Sequence, residues 1–299
     1  MKSKITIVGV PMDLGQRNPG VNMGPNAMRY AGVSEYLEGL GYKVTDYNDI
    51  EIGKAEYLED PKINLRNLKA VADASETLGE KVDSIVKSGE FPLILGGDHS
   101  VAIGSLAGIA KNYKKLGVIW YDAHGDLNTP ETSPSGNIHG MPLAASLGIG
   151  HPALTNVLNY SPKVKPENIV IIGARDLDAG ERELIKARGI KVYTMHEIDR
   201  LGMTRVIEET IEYLKDRTDG VHLSLDLDGL DPADAPGVGT PVIGGISYRE
   251  SHLAMEMLAE ADIITSADFV EVNPILDERN RTAVVAVKLM GSLFGEKLL

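Results

Sequence analysis

Short apolar runs and longer amphipathic segments alternate along this chain. Ile5–Val10, Pro92–Leu95, Gly117–Tyr121, Ile169–Ile172, Val221–Leu225 and Ile263–Val270 are strand-like runs dominated by Val, Ile and Leu, with Lys43–Asp46 and Lys191–Tyr193 as weaker versions. Several are apolar at consecutive positions, as strands of a parallel sheet covered on both faces are. Between them, Asn64–Lys87 brings Leu65, Leu68, Val71, Leu78, Val82 and Ile85 near one helical face. Met203–Lys215 does the same with Val206, Ile207, Ile211 and Leu214. This alternation predicts a three-layer α/β/α fold around a central, mostly parallel sheet of about eight strands. In open parallel sheets ligands bind beyond the carboxyl ends of the strands, so the active site is expected at that edge.

Punctuation agrees with the periodicity. Pro25 follows Gly24 at a plausible first turn, and Gly89 and Gly189 sit just past helical patterns, where left-handed caps are wanted. The apolar pattern of Thr282–Phe294 predicts a buried helix, in the core or at a subunit contact. There is no internal repeat and no linker rich in Pro, Gly or Ser, so residues 1–299 are expected to form a single domain.

The strand ends carry the chemistry. Asp122, His124 and Asp126 follow Trp120-Tyr121 at alternate positions, about 6.6 Å per pair if the strand continues, so they are expected to converge. Three other runs end alike: Leu95-Gly96-Gly97-Asp98-His99, Leu225-Asp226-Leu227-Asp228 and Val270-Glu271-Val272-Asn273. Singly, each has a bland explanation: Asp-x-His is usually a surface pair, and Gly96-Gly97-Asp98 could be a turn with Asp98 capping the next helix. Asp98 could equally orient His99. Jointly, four strands delivering histidines and carboxylates to one edge point to metal ligation. The set offers oxygen and imidazole nitrogen and no sulfur, which admits manganese(II), with iron, cobalt or nickel as substitutes. Four carboxylates, from Asp122, Asp126, Asp226 and Asp228, match the charge of a pair of divalent ions. The other histidines read as structural: His151 in a loop, His196 and His252 in helices, His222 a satisfied strand residue.

Charge and composition narrow the partners. The chain has 43 acids against 30 bases, a net charge of −13, which argues against non-specific nucleic-acid binding and suits a cationic substrate. With no cysteine, disulfides and thiolate metal sites are excluded. No stretch approaches the roughly 20 apolar residues of a membrane span, and the N-terminus lacks the pattern of a signal peptide, so a cytoplasmic location is expected.

The motifs Gly96-Gly97-Asp98-His99-Ser100, Asp122-Ala123-His124-Gly125-Asp126, Ser224 through Pro232 and Glu271-Val272-Asn273-Pro274 resemble those of the ureohydrolase family. The resemblance runs in order from near residue 5 to near residue 290, and Gly20 through Pro25 is similar to the family's opening. Within the family, two loops resemble the arginase branch: Asn128 through Pro142, and Gly173 through Glu181. The first has Asn-Ile-His-Gly-Met where agmatinases more often have Ser-His-Gly-Thr; Ala174 and Ala179 differ from residues common in animal arginases. The resemblance implies hydrolysis of L-arginine to L-ornithine and urea by hydroxide held between two manganese(II) ions per chain. It implies His99, Asp122, His124, Asp126, Asp226 and Asp228 as ligands, with Asp122 and Asp226 bridging. It further implies Asp126 and His139 as proton carriers, His139 as acid, base or shuttle, and Glu271 facing the guanidinium. Asn128, Ser135 and Asn137 would hold the α-carboxylate, Asp178 and Glu181 the α-ammonium, and Thr240 would line the pocket. A homo-oligomer, trimer or hexamer, is expected on the same ground. Agmatinase is the competing activity within the class; a catalytically silent metal-binding relative and a one-metal, deacetylase-like zinc hydrolase are the readings outside it.

Overall fold

The computed structural model describes residues 3–54 and 64–297. Among these, eight strands form one sheet: β1 (Lys4–Gly9), β2 (Lys43–Asp49), β3 (Phe91–Leu95), β4 (Leu116–Tyr121), β5 (Ile169–Ala174), β6 (Lys191–Thr194), β7 (Gly220–Asp226) and β8 (Ile264–Val270). Their order is β2-β1-β3-β8-β7-β4-β5-β6. The expected sheet was mostly parallel; all its pairings are parallel. Parallel neighbours need long crossovers, and the amphipathic segments supply them as helices. The helix predicted over Met203–Lys215 has those bounds, and the one expected within Asn64–Lys87 spans Leu68–Lys87. Gly189 caps its helix in the left-handed region at φ 65°.

Alternation along the strands sorts side chains between two cores. Leu93, Leu95, Ile119, Tyr121, Leu223 and Leu225 face one, with the helices Met203–Lys215, Tyr248–Ala261 and Arg281–Leu293. Ile94, Val118, Trp120, Ile169 and Ile171 face the other, with Leu68–Lys87 and Ala102–Ala110. The helix expected at Thr282–Phe294 is therefore part of the first core. β3, β4, β5 and β7 are buried along their whole length, while β2 and β6, the two weak runs, are the half-exposed edges. Edge strands have one neighbour and thinner cover, so their apolar signal is diluted. On the second face, β7 carries His222, Ser224 and Asp226 instead of apolar residues. His222 is satisfied as expected, by Ser266 Oγ at 3.0 Å and Asp268 Oδ2 at 3.1 Å. No helix among the described residues is long and apolar enough to cross a membrane.

Candidate metal centre

The strand order puts the carboxyl ends of β3, β8, β7, β4 and β5 side by side, and these ends bear His99, Glu271, Asp226 with Asp228, Asp122 through Asp126, and Arg175. After β3 the chain turns beneath the segment around Met12. A side chain at Gly97 would put Cβ 1.8 Å from the Met12 carbonyl oxygen, so only glycine fits. Asp98 takes the capping role: Oδ1 accepts from Ser100 N at 3.0 Å and Oδ2 from Gly15 N at 2.9 Å. After β4 the expectation of one continuous strand face does not hold. The sheet ends at Tyr121, and Asp126 has φ 51°, so the ligands converge through a turn. The Asp126 carbonyl accepts from Leu143 N at 3.1 Å and Ala144 N at 3.2 Å, which ties this turn to the helix Pro142–Ser146. Glu271 also has a left-handed backbone, φ 65°, which for a non-glycine residue costs on the order of 1–3 kcal/mol and marks a site whose surroundings over-determine it.

Two donor groups result: His99 with Asp122 and Asp126, and Asp122 with His124 and Asp228. Asp122 belongs to both. His99 Nδ1 lies 3.0 Å from Asp122 Oδ2, 3.0 Å from Asp126 Oδ2 and 3.1 Å from Asp226 Oδ2, which brings Asp226 to the first group. His124 Nδ1 lies 3.4 Å from Asp122 Oδ1 and 3.2 Å from Asp228 Oδ2. The donors fit cations. His99 Nδ1 is buried without a hydrogen-bond partner although three carboxylate oxygens surround it. Its Nε2 meets Ser224 Oγ at 2.9 Å; with Nε2 as donor, the Nδ1 lone pair is left for an ion. Burial, with the charges of Asp228 and Asp122, pushes the Asp226 pKa well above the usual carboxylate range. Carboxylates this crowded call for positive charge between them. Asp122 is held by Trp120 Nε1, which donates to Oδ2 at 2.9 Å, and the Trp120 ring stacks on His99 with centroids 4.1 Å apart. A donor set of this kind is a candidate metal-binding site.

A cavity opens over the donors. Its wall includes His124, Asp126, Asn128, Ser135, Asn137, His139, Asp178, Glu181, Asp226, Asp228 and Thr240. Of the residues expected to meet substrate, these are all but Glu271. Glu271 is fully buried beneath the wall, with Oε1 accepting from His99 N at 3.0 Å and Oε2 from Gln16 Nε2 at 2.9 Å. Oε1 also meets His139 Nδ1 at 3.2 Å. Burial works against a charged His139, but the Glu271 hydrogen bond and charge outweigh it and push its pKa up to about 9. Asn128 Nδ2 donates to Asp178 Oδ2 at 2.8 Å, joining the two loops. Glu181 uses both oxygens on backbone: Oε1 accepts from Leu127 N at 3.0 Å and Oε2 from Asp178 N at 2.8 Å. Burial pushes its pKa up to about 7 despite those donors. Ser135 Oγ accepts from Asn137 N at 3.2 Å, and Asn137 Oδ1 is buried without a partner. Thr240 Oγ1 donates to Asp228 Oδ2 at 3.0 Å.

Sequence reasoning did not single out Gln16, Ser224 or Arg175, nor Ser133 and Asp176 of the cavity wall. Ser224 is the one with a local signal, two residues before Asp226 on the same face of β7. Gln16 reaches Glu271 across most of the chain and has none.

The model of the arginase family matches residues 3–295. The arginase of Bacillus caldovelox is 74% identical over 99% of this chain and 99% of its own, and that of Bacillus subtilis (strain 168) is 66% identical over the full length of both. In structure, native B. caldovelox arginase superposes with a TM-score of 0.98, covering 99% of this chain and 100% of that one. An Entamoeba histolytica arginase solved in complex with L-ornithine superposes at 0.90, with 37% identity and coverage of 98% and 99%. The chain belongs to the arginase family and is a hydrolase of that family.

Proposed function

We propose that this protein hydrolyses L-arginine to L-ornithine and urea with two manganese(II) ions per chain, acting through one catalytic domain. The observation that carries the reading is the pair of donor groups sharing Asp122 directly under a cavity walled by the two arginase-like loops. The L-ornithine complex of the Entamoeba relative supports the substrate class. His99, Asp122, Asp126 and Asp226 would hold one ion, and His124 with Asp228, Asp122 and Asp226 the other. Bound there, the ions would supply positive charge and activate water for attack at neutral pH.

The chain's own residues do the rest. A guanidinium is resonance-stabilised and cationic, so it must be held and desolvated to react. Asp178, braced by Asn128 and by Glu181, takes the α-ammonium. Ser135 and Asn137 take the α-carboxylate, the Asn137 amide turning its Nδ2 toward it; Asn128 assists from the same loop. Thr240 fixes Asp228 and lines the pocket. Water adds to the guanidinium carbon and the bond from that carbon to the ornithine nitrogen breaks; the water oxygen gives up both protons to become the urea carbonyl, and the departing nitrogen gains two and leaves as the ammonium. Asp126 takes one proton of the attacking water and passes it to the leaving nitrogen, and the second reaches that nitrogen by way of His139. His139, oriented by Glu271, exchanges protons with solvent. Glu271 opposes the guanidinium charge from beneath the wall.

We place the protein in the cytoplasm as a homo-oligomer, trimer or hexamer, on the strength of the family. The test combines manganese analysis with urea release from arginine and from agmatine. A strong preference for arginine is expected, because agmatine lacks the α-carboxylate. Equal rates on both would sink the loop assignment, and agmatine preference would make this an agmatinase.

A further inference from the structure

Arg175 follows β5, and its guanidinium hydrogen-bonds to backbone. Nη2 donates to Asp228 O and to Val242 O at 2.7 Å each and to Leu230 O at 3.2 Å. Nη1 donates to Gly229 O at 3.1 Å and Gly173 O at 3.3 Å, and Nε to Val242 O at 3.3 Å. These carbonyls come from three segments: the end of β5, the turn holding Asp228, and the loop holding Thr240. Thr240 Oγ1 in turn donates to the Asp228 carboxylate. The result is a closed ring running from the Asp228 main chain through Arg175, Val242 and Thr240 back to the Asp228 side chain. A planar fork with fixed donor directions suits this; an ammonium does not.

Two effects of Arg175 oppose each other. As a cation near Asp228, Asp122, Asp231 and Asp226, it competes with bound metal for their charge. As a brace, it fixes where the Asp228 carboxylate points. We propose that the brace dominates: Arg175 is a positioning residue for the ion held by His124 and Asp228 with the shared Asp122 and Asp226, and not for the ion on the His99 side. This rests on the reading of two manganese ions. Of the donor residues only Asp228 is held directly by Arg175, through its carbonyl; the braced turn meets the His99 side at one point, where Asp228 N donates to Asp226 Oδ1 at 2.8 Å.

The test titrates the intact protein, R175M and R175K with manganese(II) by calorimetry and follows the same samples by electron paramagnetic resonance. Wild type is expected to bind both ions and show a spin-coupled signal. In both variants the first ion should bind as in wild type and the second about 10–100-fold more weakly. The hyperfine-split signal of isolated manganese(II) should then replace the coupled one at substoichiometric second-site loading. R175K keeps the charge and the stem, so it reads the fork alone and serves if R175M does not fold. Tighter or unchanged second-ion binding in R175M overturns the proposal, as does wild-type behaviour of R175K. Equal weakening of both ions also overturns it, because that is loss of general support. A wild-type trace showing one ion refutes the two-ion reading itself, before any variant is compared.

Discussion

His99, Asp122, Asp226 and Asp228 stand at the ends of strands buried along their whole length, whereas Asn128, Ser135, Asn137 and Asp178 belong to loops that hold one another. The donor cluster is fixed from below by the sheet and from the side by Trp120, Ser224 and Thr240. The loop wall is fixed by Glu181, which reaches Leu127 on one loop and Asp178 on the other. The first region has its geometry set by strand register, which tolerates little change. The second is held by turns of its own backbone and by bonds from single side chains, so a small number of substitutions can alter what it accepts. If the proposed function holds, chemistry and specificity are separable here, and mutations should separate them.

The sharpest break is expected from Asp122→Ala. Asp122 is common to both donor groups, so its loss should abolish stable manganese binding and bring urea release to background. Retention of the full metal complement, measured by elemental analysis after dialysis, would show that the groups do not share it. His139→Asn should act differently. Its side chain lies on the wall and hydrogen-bonds Glu271, so kcat should fall by roughly 10²–10⁴-fold while metal content stays as in wild type. Metal loss in that variant would make His139 a ligand.

How far these regions are legible in the sequence follows the same division. Every donor in the two groups was visible, because an acid or histidine just past an apolar run is a local signal. The six expected strands and the two weaker runs all appear in the sheet. What was not visible is the path by which the donors meet. Alternation put Asp122, His124 and Asp126 on one strand face, but left-handed Asp126 turns the chain instead, and aspartate tolerates that conformation without announcing it. Gln16 and Arg175 were invisible for another reason. Their partners, Glu271 and the Asp228 turn, are adjacent only after the sheet assembles, and no periodicity encodes such contacts.

A smaller effect, confined to the loop wall, is expected from Asp178→Asn. On the proposed function the neutral amide would lose a charge-assisted hydrogen bond to the α-ammonium, so KM for arginine should rise by roughly tenfold to a hundredfold. The ion complement should be unchanged. A fall in kcat with KM unchanged would place Asp178 with the chemistry and erase the separation of the two regions.

The last test concerns stability and not turnover, at the joint between the regions. Glu181 is buried, and its pKa is pushed from 4.5 up to about 7, first by burial and then by the charges of Asp126 and Asp178, against two backbone donors. A carboxyl with a raised folded-state pKa favours the fold when neutral. Its contribution is thus fully present below about 4.5 and is lost as pH rises through about 7, on the order of 3 kcal/mol in all. Glu181→Gln cannot ionise and keeps an acceptor for one of the two N–H groups. Its stability relative to wild type should therefore improve as pH rises through that window. The check is denaturant unfolding of both proteins in chelator from pH 4.5 to 8, taking the difference at each pH so that other titrating groups cancel. A flat difference would mean that Glu181 ionises in the fold as it does in the unfolded chain, and that the loops are joined by an ordinary carboxylate.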